Sequence, residues 1–395
     1  MLASIVKSVA VEVAFSMIVQ RFVKWCETAN SAQRAEGATI LARAFVEGRI
    51  TAEEQAGAQA ALTLMLDDPS PKVRLALAEG LADDSRVPRT VLLSLCEDNP
   101  AIACVVASRS PALRDDELID LAASGSAELR TAIATRRVVS TRVAAAIAEV
   151  AEPGCCISLL ENRGAAIAGV SFRRIAERHG ANASVRGALL DRRDLPATVR
   201  QTMILRTGQA LAALPMLCNL VGADRAERLA SDACERATAM LAETVPEVEI
   251  PALVEHLRAS GQLNVAFLLR TVCAGNIDLF AAALVRLSSM SERRVRSILA
   301  EGRDGAFRTM VITCGLPSVA APLFLIAVGV WREIASGKRI AAAEDVPQMI
   351  MQRLVATSGD RSRTAGFEAM MRFLHRLAGE TERDAARQQA RKLAA

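Results

Sequence analysis

A unit of about 28 residues recurs through the first half of the chain, and it limits the fold more than any other feature of the sequence. Val73, Ile102, Leu129, Ile157 and Val185 follow one another at spacings of 29, 27, 28 and 28. Each sits in a short helix-like apolar run, such as Val73-Arg-Leu-Ala-Leu-Ala or Leu129-Arg-Thr-Ala-Ile-Ala. A fixed period in this range marks a stacked repeat array. One short helical pair cannot bury its apolar face alone, so its neighbours must supply the core. The expectation is an all-α chain, an α-solenoid superhelix of short helical repeats followed by a C-terminal helical domain.

Composition agrees with helices. Apolar residues make up 51% and charged residues 23%, a globular balance, while aromatics are only 3% and Tyr is absent. A core of Ala, Leu, Val and Ile suits stacked helix pairs better than strands. The net charge of +4, from 48 basic and 44 acidic residues, is close to balanced for 395 residues. A dedicated nucleic-acid binder carries a larger excess or a concentrated patch. Five of the bases are Lys, which leaves 48 − 5 = 43 Arg. The nine Cys form no Cys-x-x-Cys pair and lie mostly in apolar runs, where a free thiol acts as a small hydrophobe. An odd count without a secretion signal points to a reducing, cytoplasmic setting. The vicinal Cys155-Cys156 reads as two buried or half-buried thiols. Leu2 to Val23 reads as an amphipathic helix, because Lys7 and Glu12 interrupt it. The longest apolar run, Leu316 to Trp331, contains Pro317 and Pro322 and reads as a buried helix.

Turn chemistry marks the elements. Residues 31–47 and 51–66 read as a helix pair, with Gly48 in the turn and Thr51 and Glu54 as a capping box. Ser70 precedes Pro71 as a cap, Asn99-Pro100 repeats the device, and Ser126 holds the same place before Ala127. Second helices begin near Pro88, Asp115, Ser140, Gly164 and Leu195-Pro196. The expected division is an N-terminal amphipathic helix over 1–30, the repeat array over 31–215, a helical domain over 216–357 and a polar helical tail over 358–395. In the helical domain the expected helices include Asp224–Glu243, Asn264–Ala274, Asp278–Ser288 and Pro317–Ala335. The tail reads as solvated or frayed.

The line Pro71-x-Val-Arg-x-Ala-x-Ala78 resembles compact HEAT-like or leucine-rich-variant repeats, which implies a right-handed superhelix with a concave face. The whole chain resembles domain-of-unknown-function family 2336 of bacteria. The residues that carry this are Asp67, Val73-Arg-x-Ala-Leu-Ala-Glu79, Ser110-Pro-x-Leu-Arg-Asp-Asp-Glu-Leu-Ile119 and Ala132-Ile-Ala-Thr-Arg136. Leu253-Val-x-x-Leu-x-x-x-Gly-x-Leu263, with Gly275 before Phe280, adds to it. The resemblance spans roughly residues 35–320 and implies cytoplasmic bacterial proteins with no known reaction, so no catalytic residues carry over.

The sharpest candidate site is a ladder of arginines. Arg109, Arg136, Arg163 and Arg192 recur at spacings of 27, 27 and 29, and Arg137 and Arg193 widen the row. Two readings stay open. The row forms a stripe that meets phosphates or an acidic partner helix, or each Arg satisfies carbonyls at a helix C-terminus. A second set, Arg74, Arg130, Arg186 and Arg200, reads as structural, each paired with a carboxylate of an adjacent turn such as Asp67 or Glu128.

No constellation points to catalysis. His179, His256 and His375 lie far apart and outside metal-ligand spacing. A phosphate-binding Gly-rich loop and a Gly-x-Ser-x-Gly elbow are both missing from the sequence. HEAT-like DNA glycosylases use aromatic residues and an Asp, but Trp25 and Trp331 both lie outside the repeats. The expected function is a non-enzymatic scaffold that needs no cofactor and binds a protein partner along the array. The alternatives are a nucleic-acid-binding array using the ladder, and a peripheral membrane adaptor using Leu2–Val23 or Leu316–Trp331.

Overall fold

A computed structural model describes residues 24–47, 55–338, 345–358 and 365–394, and it is all-helical. Among the described residues the only β-type pairing is an isolated parallel bridge between Val139 and Ala165. The chain divides into two compact units, Met1–Leu195 and Pro196–Ala395. Ala197–Ala212, which the repeat period groups with the array, clusters with the second unit. The expected helix Leu2–Val23 and the Thr51–Glu54 capping box lie outside the described residues.

In the first unit the helices are α1 (Ser31–Val46), α2 (Gln55–Leu66), α3 (Pro71–Leu81), α4 (Arg89–Cys96), α5 (Pro100–Arg109) and α6 (Asp115–Ser124). They continue with α7 (Ala127–Ala134), α8 (Thr141–Val150), α9 (Pro153–Glu161), α10 (Gly169–His179) and α11 (Ala183–Leu190). Helices of 8–12 residues do not persist alone in water, so packing must hold them. Odd-numbered helices pack one on the next from α1 to α11, while α2 packs on α4, and α6 on α8 on α10. Starts are fixed locally. The side chains of Asn99, Ser126, Ser140 and Asn182 accept the backbone N–H two or three places into their helices, and Pro opens α3, α5 and α9. Ser70 stands at the N-cap of α3 without capping through its hydroxyl. Its own N–H instead donates to Asp68 Oδ1 at 2.9 Å.

Counting from each helix start shows the register of the repeat. The third residue is buried in five successive odd-numbered helices: Val73, Ile102, Leu129, Cys155 and Val185. The seventh is also buried: Leu77, Val106, Ile133, Leu159 and Leu189, each at 0% exposure. An i, i+4 pair of this kind contributes about 1.5–3 kcal/mol per aliphatic side chain. The expected interior residue of the fourth unit, Ile157, is a correction. It is only half-buried, because Pro153 starts α9 two residues earlier than an interior Ile157 requires and Cys155 takes the place. The helix expected near Gly164 begins instead at Gly169. Residues 164–166 run beside Val139, with Val139 N donating to the Gly164 carbonyl (3.2 Å) and Ala166 N to that of Val139 (2.9 Å). A Cβ at Gly164 would collide with the Arg137 carbonyl oxygen, so the close pass requires glycine.

In the second unit the helices are α12 (Ala197–Ala212), α13 (Pro215–Val221), α14 (Ala223–Thr244), α15 (Ile250–Ala259), α16 (Val265–Cys273) and α17 (Ile277–Ser288). They continue with α18 (Glu292–Glu301), α19 (Asp304–Thr313), α20 (Ala321–Ala335), α21 (Val346–Ser358) and α22 (Ala365–Ala394). Helix α17 packs on α15, α16, α18 and α19, and the core closes around Phe267, Phe280, Phe307 and Phe324. The α16–α17 turn depends on Gly275, whose φ is +85° and whose absent side chain leaves room for the Trp331 ring. The indole N–H of Trp331 donates to the Val272 carbonyl at 2.7 Å. The apolar stretch Ser318–Ala335 is long and apolar enough to cross a membrane by length and composition. In this fold it places Leu323, Phe324, Ala327, Val328 and Val330 in the core of the second unit. The tail differs from expectation. Helix α22 packs on α21 and buries Leu374, Leu377 and Ala378, so its first half belongs to the core and only the part beyond Thr381 is largely exposed.

Candidate functional site

The arginine ladder separates into two rows once each residue is counted from its own helix start. Position ten is Arg109 after α5 starts, Arg136 after α7, Asn162 after α9 and Arg192 after α11. Position eleven is Arg137, Arg163 and Arg193 for the last three. The expected ladder therefore mixed the rows at Arg163, because Asn162 holds its place.

Position ten points back into the preceding unit. Arg136 donates from Nη1 to the Ala107 carbonyl and from Nη2 to that of Ser110 (2.7 Å). Asn162 Nδ2 donates to the carbonyls of Ala134 (2.8 Å) and Arg136 (2.7 Å), while its Oδ1 accepts from Gly164 N (2.8 Å). Arg192 reaches the carbonyls of Leu160, Asn162 and Ala165, pairs with Asp194 and lies 5.8 Å from the Phe172 ring centre. Ala107, Ala134 and Leu160 are each the eighth residue of their helix, so one rule repeats three times. The last turn of a helix leaves carbonyls without an intrahelical partner, and the next unit supplies the donor. Burial lowers the Arg136 pKa from the usual arginine value. Arg109 serves the same interface through a carboxylate, pairing with Asp83 (Nε to Oδ1, 3.0 Å).

Position eleven points outward. Arg137, Arg163 and Arg193 are exposed, and their guanidinium groups make no hydrogen bond or ion pair with any described residue. The backbone brings them together. The Arg137 carbonyl abuts Gly164, next to Arg163, and the Arg192 guanidinium grips the Asn162 and Ala165 carbonyls on either side of Arg163. Exposed Glu161, Asp191 and Asp194 interleave with them.

Three of the second arginine set, Arg74, Arg130 and Arg186, are structural, with partners other than those expected. Arg74 forms a bidentate pair with Asp98, 24 residues on (2.5 and 2.9 Å), and Arg34 does the same with Asp68. Arg130 takes Glu152 (2.6 Å) and not Glu128, and Arg186 binds the carbonyls of Gly180 and Ala181. The ion pairs of Arg34, Arg74 and Arg130 reach into the next unit, a distance that adjacent-turn reasoning missed, whereas Arg186 stays on the turn before its own helix. The neighbouring guanidiniums hold the carboxyls of Asp68, Asp83 and Asp98 below the usual carboxylate range.

The histidines serve the fold. His179 donates to the Ala151 carbonyl (3.0 Å) and His375 to that of Met371 (2.9 Å), while His256 Nε2 lies 2.8 Å from Gln201 Oε1. Cys155 and Cys156 are both buried, and burial pushes their thiols up to about 11 and about 12. Among the described residues no three of His, Cys, Asp and Glu gather as metal ligands.

A family model described as an uncharacterised protein conserved in bacteria (DUF2336) matches residues 102–363, most of the chain. The chain belongs to that family. The match begins at Ile102, the buried third residue of α5, and so takes in both arginine rows from Arg109 onward and most of the second unit. No curated protein and no solved structure matches the chain, so family membership brings no activity with it.

Proposed function

We propose that this chain is a non-enzymatic interaction module of the cytoplasm. Its first unit is a HEAT-like solenoid array that docks an acidic segment of a protein partner on Arg137, Arg163 and Arg193. The packing of odd-numbered helices one on the next from α1 to α11, with α2 on α4 and α6 on α8 on α10, supports the solenoid reading. One observation carries the docking reading. Three adjacent turns each hold a free guanidinium, beside residues at position ten that are all committed to the fold. A free arginine is a preorganised, bidentate donor for carboxylates. The interleaved Glu161, Asp191 and Asp194 favour a peptide with spaced carboxylates over a continuous polyanion.

The test uses the full chain and a fluorescent peptide of alternating Glu and Ala, with a short DNA duplex alongside. Replacing Arg137, Arg163 and Arg193 together by Gln is expected to weaken peptide binding about tenfold or more while leaving the melting temperature unchanged. Equal peptide binding by the triple variant would refute the reading. Retention of the duplex with a steep salt dependence, lost in the triple variant, would replace the protein partner with nucleic acid.

A further inference from the structure

Large apolar side chains that stay exposed are scattered singly among the described residues, but four of them fall within ten residues of the second unit. Leu211 near the end of α12, Leu214 just before α13, and Met216 and Leu220 on α13 are 49%, 45%, 71% and 70% exposed. Helix α13 buries none of its residues. Met216 and Leu220 stand four residues apart and share its outward face. On the opposite side the Cys218 thiol turns back to the Ala212 carbonyl (3.1 Å). A single exposed apolar residue needs no explanation, whereas a cluster of this kind marks a contact surface.

Two features say what fits it. The first is charge. The chain carries no Asp, Glu, Lys or Arg from Thr207 to Ala223, and the first two turns of α14 then bring Asp224, Arg225, Glu227 and Arg228. All four are exposed, and their side chains make no hydrogen bond or ion pair with any described residue. An anionic lipid surface calls for an excess of bases beside the apolar face, and two charges of each sign give none. A contact between two copies on a two-fold axis calls for something else. The same patch then meets itself, so its centre must be uncharged and its border must offer each sign to the other. The second feature is area. At about 200 Å² for a fully exposed Leu or Met, the four side chains leave on the order of 500 Å² open, against about 800 Å² that each partner gives to a standard interface. The charged turn of α14 supplies the remainder.

We propose that α13 is the centre of a homodimer interface. Two copies of α13 cross antiparallel on the two-fold axis. Met216 of each copy packs on Leu220 of the other, and Leu211 and Leu214 extend the apolar contact. At the border, Arg225 and Arg228 meet Asp224 and Glu227 of the second copy.

Sedimentation velocity of the full chain from about 1 to about 100 μM tests the proposal, and wild type is expected to be a dimer at the upper end of that range. Met216→Glu and Leu220→Lys each place a charge in the apolar centre and should weaken association at least about tenfold. Both residues are exposed in the single copy, so the circular dichroism of each variant should match that of wild type. An equimolar mixture of the two variants should associate again. The introduced carboxylate of one then faces the introduced ammonium of the other, while the unchanged Leu220 and Met216 meet in the second contact. The proposal is overturned if wild type stays monomeric at the highest concentration, or if Met216→Glu dimerises as well as wild type. It is also overturned if the mixture associates no better than either variant alone. Flotation of a monomeric wild type with phosphatidylglycerol vesicles would assign the patch to a membrane instead.

Discussion

Replacing Asn162 by Asp tests the inter-repeat capping rule with a change of one atom. The Asn162 amide nitrogen donates to two carbonyl oxygens, those of Ala134 and Arg136, at 2.8 and 2.7 Å. Asp puts an oxygen where the nitrogen stood. Two hydrogen bonds of about 1 kcal/mol net are lost, and a half-buried carboxylate then faces two carbonyls. The expected cost at pH 7 is about 3 kcal/mol, or roughly 6–12 °C in melting temperature for a unit of this size. The bond from Gly164 N survives, because Oδ1 is unchanged.

The pH dependence separates this mechanism from a general loss of packing. Carbonyl repulsion and burial raise the new carboxyl's folded-state pKa above its unfolded value of about 3.9. The folded variant therefore binds the proton more tightly than the unfolded one. Its deficit shrinks as pH falls through the raised pKa, because the protonated acid regains one donor, and it is fully present above that pKa. Wild type moves the other way. Asp68 and Asp98, held low by Arg34 and Arg74, contribute stability above the unfolded value that is lost as pH falls through their folded values. The informative quantity is thus the difference between variant and wild type, from urea melts followed by circular dichroism at pH 7.5, 6 and 5. Asn162→Leu, which cannot titrate, should keep a constant deficit. A cost below about 0.5 kcal/mol at pH 7, or the same deficit at pH 5 as at pH 7.5, would refute the capping argument.

Two further outcomes follow from buried groups. Arg270 is 7% exposed, pairs with Glu380 at 2.5 Å and lies 5.8 Å from the Phe373 ring centre. Glu380→Gln leaves that cation buried and uncompensated, so it should cost about 3 kcal/mol in a denaturant melt and speed proteolysis within α22, and unchanged cleavage would count against α22 as a core element. The thiols of Cys96, Cys155, Cys156, Cys273 and Cys314 are buried and pushed up to between about 11 and about 12, so the native protein should yield only Cys26, Cys104, Cys218 and Cys234 to a thiol reagent near neutral pH, with all nine reacting in denaturant.

The sequence made the period legible because a buried aliphatic residue must return at the same helix position in every unit. It left the register ambiguous at α9, where Ile157 looks like the better hydrophobe and Cys155 does the packing. Pro153, the first residue of α9, was the cue: Pro71 and Pro100 hold the same place in α3 and α5. The core role of α22 was also readable, from Phe367, Met370, Met371, Leu374 and Leu377 at helical spacing, but a net charge of +3 over the tail drew attention away from it. The half-open groove beside Glu227 and Glu235 in the second unit left no such trace. Its lining comes from α12, α13, α14, α16 and the α15–α16 turn, and small residues in helices are ordinarily packing residues.

The dull explanation for the outer arginines is the helix dipole, and its size can be weighed. A cation near a helix C-terminus gains about 0.3–1 kcal/mol at an exposed site, and that gain fades within the last turn. Position eleven lies past that turn: α7 ends at Ala134, three residues before Arg137, and α11 at Leu190, three before Arg193. The carbonyls of Ala134 and Leu160, in the last turns of α7 and α9, already have better donors, since Asn162 and Arg192 at position ten take them directly. An outer arginine therefore adds little to a helix end that its neighbour has already satisfied. Folding alone thus gives weak reason for guanidinium at Arg137 and Arg163, and this is the ground on which the proposed acidic partner rests.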